Sequence, residues 1–227
     1  NFMKSMKLFL VTIPRYSILT VLLCLGLSII FYEGGTMNDP SSMGYSFTRN
    51  FFSDLGQYTP ENMVSLILFA TALTVCGLTF NAYFFYFIKL FPEKNIYKNL
   101  AITGCIAGMF GGFCFFGVGV TPSNTTLDPH IFFANWAFRS FLITSILLSI
   151  VLFKDKRFNT LYAGGYALFA LLIFIYVLIL ELAPSPRISD FSLMFNVVSQ
   201  KAIVLVFICS VLMQSFGNLK IINDSSV

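Results

Sequence analysis

The sequence predicts an all-α integral membrane protein, a single domain of six transmembrane helices, and two observations carry this prediction. Its 227 residues are 57% hydrophobic and only 11% charged, whereas a soluble domain carries about 25% charged residues. Six stretches are apolar over the roughly 17–25 residues that a spanning helix needs. Since lipid offers no partner to backbone N–H and C=O groups, each stretch must close its own hydrogen bonds as a helix.

The first three spans follow from apolar runs and their boundaries. The first run lacks a small-residue cleavage site before Glu33, so it is interpreted as a span and not as a cleaved signal peptide. The second begins after Pro60-Glu61, where Pro presets φ and the acid suits the positive end of the helix dipole. The predicted bounds are 16–32, 63–87 and 100–120.

The last three spans are separated by short polar segments. A basic segment, Lys154 to Arg157, divides the fourth from the fifth, and Ser189-Asp190 supplies a helix cap before the sixth. The predicted bounds are 131–153, 161–180 and 191–216.

The distribution of basic residues predicts the orientation of the bundle. Ten of the fourteen Lys and Arg residues fall before the first span, in the even-to-odd connections or after the sixth span. Positively charged segments stay in the cytoplasm, so both ends of the sequence are predicted to be cytoplasmic. The net charge of +4 then indicates membrane anchoring and not nucleic-acid binding. The membrane is predicted to be the plasma (inner) membrane in a prokaryote or an endomembrane in a eukaryote.

The longest connection is the outer loop, residues 33–62, between the first two spans. It is rich in turn-forming residues, yet Phe47, Phe51, Phe52 and Leu55 offer side chains to bury. Loops of this length inside a compact domain are uncommon and usually functional or disordered. The aromatic residues favour an ordered cap folded onto the helix ends.

Three glycines lie at four-residue spacing in the third span: Gly104, Gly108 and Gly112. A helix face without side chains lets another helix approach closely. The stripe is interpreted mainly as packing within the monomer, with a homo-oligomer or a membrane-protein partner as the alternative.

Charged residues inside the spans point to a site. Arg139 lies eight residues into the fourth span and Lys201 ten residues into the sixth, and such charges cost several kcal/mol, on the order of 3 or more, unless paired or hydrated. Both are expected to face the interior. Further polar residues predict an outward-facing polar cavity. They lie near the outer ends of the helices (Asp128, His130, Asn135, Glu181) or above them in the outer loop (Ser53, Asp54).

Three functions are compatible with these residues. The two cations either pair internally with Glu181, Asp54 or Asp128, or they hold a lipid headgroup or another anion beneath the Ser53–Gly56 cap. An enzyme, a lipid hydrolase or transferase, would use Asp54, Asp128 and His130 as its catalytic groups. A non-catalytic accessory subunit of a larger membrane complex is the third. No cofactor is indicated, and no metal site is predicted, because the one His cannot form a multi-His site and supplies, with Asp128, two ligands at most.

The segment Ser53-Asp54-Leu55-Gly56 followed by Pro60-Glu61 resembles the SDxG…PE signature in the first outer loop of the FRAG1/DRAM/Sfk1 membrane proteins. It is also similar to the (F/I)SDLG segment of a prokaryotic family described as domain of unknown function 998. His130 at the start of the fourth helix fits the same pattern. In the sixth helix, however, Gln200-Lys201 replaces a Glu of the eukaryotic branch, so a site built on that acid does not carry over.

The resemblance implies six helices with both ends inside and a function linked to membrane lipids. Members of the wider group are associated with remodelling of lipid anchors, lipid asymmetry and lysosomal or autophagic membranes. The prokaryotic branch has no assigned activity, so the resemblance alone names no reaction.

Overall fold

Six long helices account for most of the chain in the computed structural model, which describes residues 2–91 and 96–224. All six are long and apolar enough to cross a membrane. They are α1 (Phe2–Ile30), α2 (Met63–Leu90), α3 (Ile96–Val120), α4 (Leu127–Lys154), α5 (Thr160–Leu182) and α6 (Asp190–Asp224). The six-helix all-α prediction is confirmed, while Lys94, assigned to the basic side, lies outside the described residues.

The observed helices are longer than the predicted spans at both ends of the sequence. The first span was predicted over 16–32, but α1 starts at Phe2, and α6 continues past the predicted end at Phe216 to Asp224. The apolar run marks only the lipid-embedded part of a helix, and backbone hydrogen bonding continues through the polar residues beyond it. Met63–Phe87 of α2 matches its prediction at both ends, before a final 3₁₀ turn.

Helices that are neighbours in sequence pack side by side, and the first also contacts the last. We call the end that carries residues 2–12 and 215–224 the basic end. The opposite end, formed by residues 31–62, 121–126 and 183–189, is the capped end. At mid-depth the ring of Phe207 on α6 is surrounded by aromatic rings from α2, α3, α4 and α5 at centroid distances of 4.8–6.3 Å: Phe80, Phe115, Phe138, Phe141, Phe169.

The predicted glycine face of α3 packs inside the monomer. A Cβ at Gly108 would meet the Phe84 ring of α2, and one at Gly104 would meet Leu147 and Leu148 of α4. At Gly112 the backbone of α2 is close enough for a Cβ to lie 2.9 Å from the Gly77 carbonyl oxygen. The chain's own helices therefore occupy this face, in agreement with the main interpretation of the stripe, while a homo-oligomer or a membrane-protein partner stays a prediction.

The connection between α1 and α2, residues 31–62, folds over the helix ends. Its 3₁₀ turn, Phe52–Gly56, buries Leu55 in a cluster with Phe69 and Ala72 of α2. Asn62 Nδ2 and Ser65 Oγ both donate to the Leu55 carbonyl oxygen, at 3.1 and 3.0 Å. Phe47, expected to be buried, is 61% exposed. The turn is thus held against α2 through side chain and backbone alike.

Candidate functional site

A cavity of about 390 Å³ lies in the capped half of the bundle. All six helices contribute to its wall, and residues 51–54 close it from above. Along most of its length the wall is apolar, for example Val21 on α1, Leu73 on α2 and Val204 on α6. The predicted polar cavity is therefore apolar over most of its surface, because the inward faces of the helices carry aliphatic and aromatic residues.

Polar groups gather at one end of this cavity, beneath the cap. Ser53, Asp54, His130 and Asn135, four of the predicted site residues, all line it, and Gln200 joins them. The Gln200 amide oxygen accepts a hydrogen bond of 2.8 Å from the Phe52 backbone N–H. The cavity thus combines a long apolar part with a polar end, as an amphiphile does.

His130 is buried at the start of α4, and its ring orientation follows from one contact. Its Nδ1 lies 2.6 Å from the Thr121 carbonyl oxygen. Because a carbonyl oxygen only accepts, Nδ1 carries the hydrogen in this contact. In the neutral ring Nε2 is then an acceptor, available to a donor in the cavity.

Arg139 does not line the cavity. Its guanidinium forms an ion pair with Glu181 near the end of α5, and the two side chains are 35% and 47% exposed. The expectation that Arg139 faces the interior is wrong, since both side chains of the pair are partly exposed at the surface of the bundle. Internal pairing, one of the sequence alternatives, describes this residue, and Glu181 likewise does not line the cavity.

Lys201 is buried as predicted but is enclosed by the cap and does not line the cavity. Its Nζ donates to the Asn50 carbonyl oxygen at 2.5 Å. Three aromatic rings of the cap surround the ammonium group, with their centroids 4.8–5.3 Å away: Tyr45, Phe47, Phe52. Cation–π contacts strengthen when water is excluded, so Lys201 fastens the cap to α6.

Asn50 is the hub of the cap, and sequence reasoning missed it. It is fully buried. Its Nδ2 donates to Asp54 Oδ2 at 3.1 Å and to the Gly35 carbonyl oxygen at 2.7 Å, while its Oδ1 accepts from the Ser46 N–H at 2.9 Å. An Asn inside a polar loop carries no periodic signal, because its neighbours in space are set by the fold of the loop.

Asp54 sits between the cap and the cavity. Its Oδ2 accepts hydrogen bonds from Asn50 and from the Phe51 N–H, at 3.1 and 2.9 Å. Burial raises the pKa of Asp54 to about 6, although the hydrogen bonds from Asn50 and Phe51 and the charge of Lys201 act in the opposite direction.

The raised pKa of Asp54 predicts that the stability of the protein depends on pH. Folded Asp54 holds its proton more tightly than the unfolded chain does, so the free energy of unfolding falls as pH rises from about 4 to about 6. Asp54→Asn is expected to flatten this dependence, measured as thermal unfolding in detergent across that range. Asp128→Asn, which removes an exposed carboxyl group at the same end, is the control and should keep the wild-type slope.

The three candidate catalytic residues are not joined to one another. Asp128 is exposed at the start of α4, while His130 bonds to Thr121 and Asp54 bonds to its own loop. Among residues 2–91 and 96–224, no hydrogen bond or ion pair links His130 to either carboxylate. A general base must lie within hydrogen-bonding reach of its partner, so this arrangement gives the hydrolase or transferase alternative no support.

Comparison with known proteins identifies one family. A family model described as "Protein of unknown function (DUF998)" matches residues 22–211. A comparison with curated proteins gives no match, and neither does one with solved structures. The matched range includes Asp54, His130 and Lys201, whereas the wider link to FRAG1/DRAM/Sfk1 proteins stays a prediction. The chain, a membrane protein with six apolar helices, belongs to the DUF998 family.

Proposed function

We propose that this protein binds a membrane amphiphile, with its apolar chain in the cavity and its polar head beneath the cap. The observation that carries the proposal is the cavity itself, about 390 Å³ in volume, apolar along most of its length and with a group of polar residues beneath the cap. Sites for small ligands commonly measure about 300–1,000 Å³. The six helices place this volume where membrane lipids are the most abundant ligands.

The polar end should decide which amphiphile binds. A chain that leaves the bilayer for an apolar cavity exchanges one apolar environment for another, so its transfer contributes little net free energy. Hydrogen bonds to the head group are then the interactions that separate one lipid from another. Selectivity is expected to reside in the residues beneath the cap.

Those residues favour a head group that donates hydrogen bonds. The carboxylate of Asp54 and the Nε2 of His130 only accept, the Asn135 amide and the Ser53 hydroxyl can both accept and donate, and no Lys or Arg belongs to the described wall of the cavity. We therefore infer a lipid with a hydroxyl- or amine-bearing head. This revises the expectation of an anion held by Arg139 and Lys201, which are engaged elsewhere.

Entry between α1 and α6 fits the packing of the bundle. These two helices contact each other at the basic end, where Arg15 meets Ser215 and Asn218 meets Leu10. Closer to the capped end, both helices contribute residues to the cavity wall. We infer that a lipid enters the cavity laterally between these two helices, on the capped side of these hydrogen bonds.

Filling the cavity tests the proposal. Val204→Trp places an indole inside the cavity wall, whereas Leu205→Trp, one residue along α6, adds the same side chain at a position that is 61% exposed. We expect Val204→Trp to lower the copurifying lipid by roughly tenfold, equivalent to about 1.4 kcal/mol, because the indole takes the volume of the chain. Lipidomic mass spectrometry of the purified variants measures the change.

Leu205→Trp is the matched control and should keep the wild-type lipid content. If both variants melt at the wild-type temperature and contain equal amounts of lipid, the proposal that the lipid chain occupies the cavity is contradicted. Asn135→Leu is a second arm, since it should change which head group copurifies while leaving the chain composition unaltered.

A further inference from the structure

A second, smaller cavity of about 50 Å³ lies next to the first, on the side of the basic end. Along α4 the larger cavity is lined as far as Phe138, and the smaller one begins at Phe141. Along α6 the wall of the larger cavity starts at Gln200, whereas that of the smaller one starts at Phe207 and ends at Gln214. The two cavities are therefore arranged one after the other along the axis of the bundle.

The ring of Phe207 lies at the boundary between them, since this residue lines both cavities. The rings of Phe115 and Phe138, which line only the larger cavity, have their centroids 5.7 and 6.1 Å from that of Phe207. The rings of Phe141 and Phe169, which line only the smaller cavity, lie 5.0 and 4.8 Å from it. Phe207 thus separates the two cavities.

The smaller cavity suits hydrocarbon better than water. Its surface is almost entirely apolar, because polar side chains in its wall bond to partners within the protein. The Thr144 hydroxyl donates to the Gly104 carbonyl oxygen at 2.9 Å. Gln214 Nε2 donates to the Tyr162 carbonyl oxygen at 3.1 Å. Cavities with apolar walls stay dry and take up apolar molecules, so this space is suited to the end of a lipid chain.

A lipid chain in the larger cavity approaches the Phe207 ring. This cavity extends about 16 Å along the axis of α1, from Leu25 to Pro14. With the head group beneath residues 51–54, the chain runs towards the basic end, and its last carbons meet Phe207. Apolar space continues beyond the ring in the smaller cavity, but the ring occupies the way into it.

We propose that Phe207 sets the length of the longest lipid chain that the protein accepts. This inference rests on the function proposed above, the binding of a membrane amphiphile, and adds chain length to head-group chemistry as a second determinant of selectivity. Protein interiors are close-packed, so a chain that continues past the ring must displace it against five aromatic neighbours. Shorter chains avoid this cost of overpacking.

Monoacylglycerols of graded chain length test the proposal, because they carry a hydroxyl-bearing head and a single chain. The delipidated protein is titrated with each of them in detergent, and native mass spectrometry measures the binding. We expect the affinity of the wild type to fall beyond a limiting chain length. Phe207→Ala removes the phenyl ring and joins its volume to the smaller cavity, so the limit should increase by about two to four carbons.

Phe87→Ala is the matched control. It removes the same ring from a fully buried position that lines neither cavity, so its limiting chain length should equal that of the wild type. Phe207→Leu keeps more of the side chain and replaces Phe207→Ala if that variant fails to fold. It should increase the limit by about one or two carbons.

The outcomes separate this inference from the function on which it rests. An unchanged limit in both Phe207 variants, together with binding that Val204→Trp weakens, would overturn the role of Phe207 and leave the proposed function standing. An equal increase in Phe87→Ala would assign the effect to general loosening of the bundle and also overturn that role. No saturable binding by the wild type at any chain length would overturn the proposed function, and the role of Phe207 with it.

Discussion

Gly77→Ala is expected to destabilise the bundle by about 3 kcal/mol or more, at the upper end of overpacking effects. A Cβ at this position would lie 2.5 Å from the Gly112 carbonyl oxygen and 3.2 Å from the Phe116 backbone nitrogen. Both obstacles are backbone atoms of α3, so relief requires α2 and α3 to separate. Thermal unfolding in detergent, followed by circular dichroism, measures the loss.

Gly164→Ala is the matched control, since it is the same substitution within α5 at a site with no atom inside 4 Å of the added Cβ. Alanine is better than glycine inside a helix by roughly 0.5–1 kcal/mol, so this variant should be slightly more stable than the wild type. The two variants are thus expected to change stability in opposite directions. A neutral Gly77→Ala would show that the contact between α2 and α3 is not close-packed.

Asn50→Ala is expected to destabilise the cap by about 2–5 kcal/mol, because each buried partner left unsatisfied costs about 1–3 kcal/mol. The substitution removes the donor to Asp54 Oδ2 and the acceptor for the Ser46 N–H. The Gly35 carbonyl oxygen keeps its second donor, the Tyr32 hydroxyl, at 2.8 Å. Hydrogen exchange over residues 46–56 and thermal unfolding measure the effect.

Asn38→Ala tests whether any Asn of the same loop would behave alike. Asn38 is exposed, and its contact to the Pro186 carbonyl oxygen is 3.4 Å long, so its removal should change stability by no more than about 0.5 kcal/mol. Asn50→Asp keeps the acceptor but places a second carboxylate beside Asp54, and it should be at least as disruptive as Asn50→Ala. Unchanged exchange in both Asn50 variants would contradict the role of this residue.

The helices were predictable because a membrane span needs a long apolar run. Each run can be identified in the sequence without knowing which helices pack against it. The Met63–Phe87 bounds of the second span were predicted to the residue, while the additional turns at Phe2 and Asp224 were not. The glycine spacing in α3 predicted a close approach but not its partners. Spacing marks one face of a helix, and only the packed bundle shows that Phe84 and Leu147 lie opposite it.

The candidate site was predictable in part. Ser53, Asp54, His130 and Asn135 converge on the cavity because all four lie at the capped end of their elements. Arg139 and Lys201 were correctly expected to need partners, since both lie within apolar runs. Their partners, Glu181 for Arg139 and the Asn50 carbonyl with three rings for Lys201, depend on helix rotation and on the fold of the cap.

The sequence by itself determined the number of spans and their helical state, because lipid leaves backbone groups no other way to form hydrogen bonds. Tertiary structure alone decided that the bundle holds a largely apolar cavity and that Lys201 fastens the cap. The physical reason is rotational: turning a helix about its axis exchanges wall residues for lipid-facing ones at little cost in local hydrogen bonding. Packing against neighbouring helices selects the rotation.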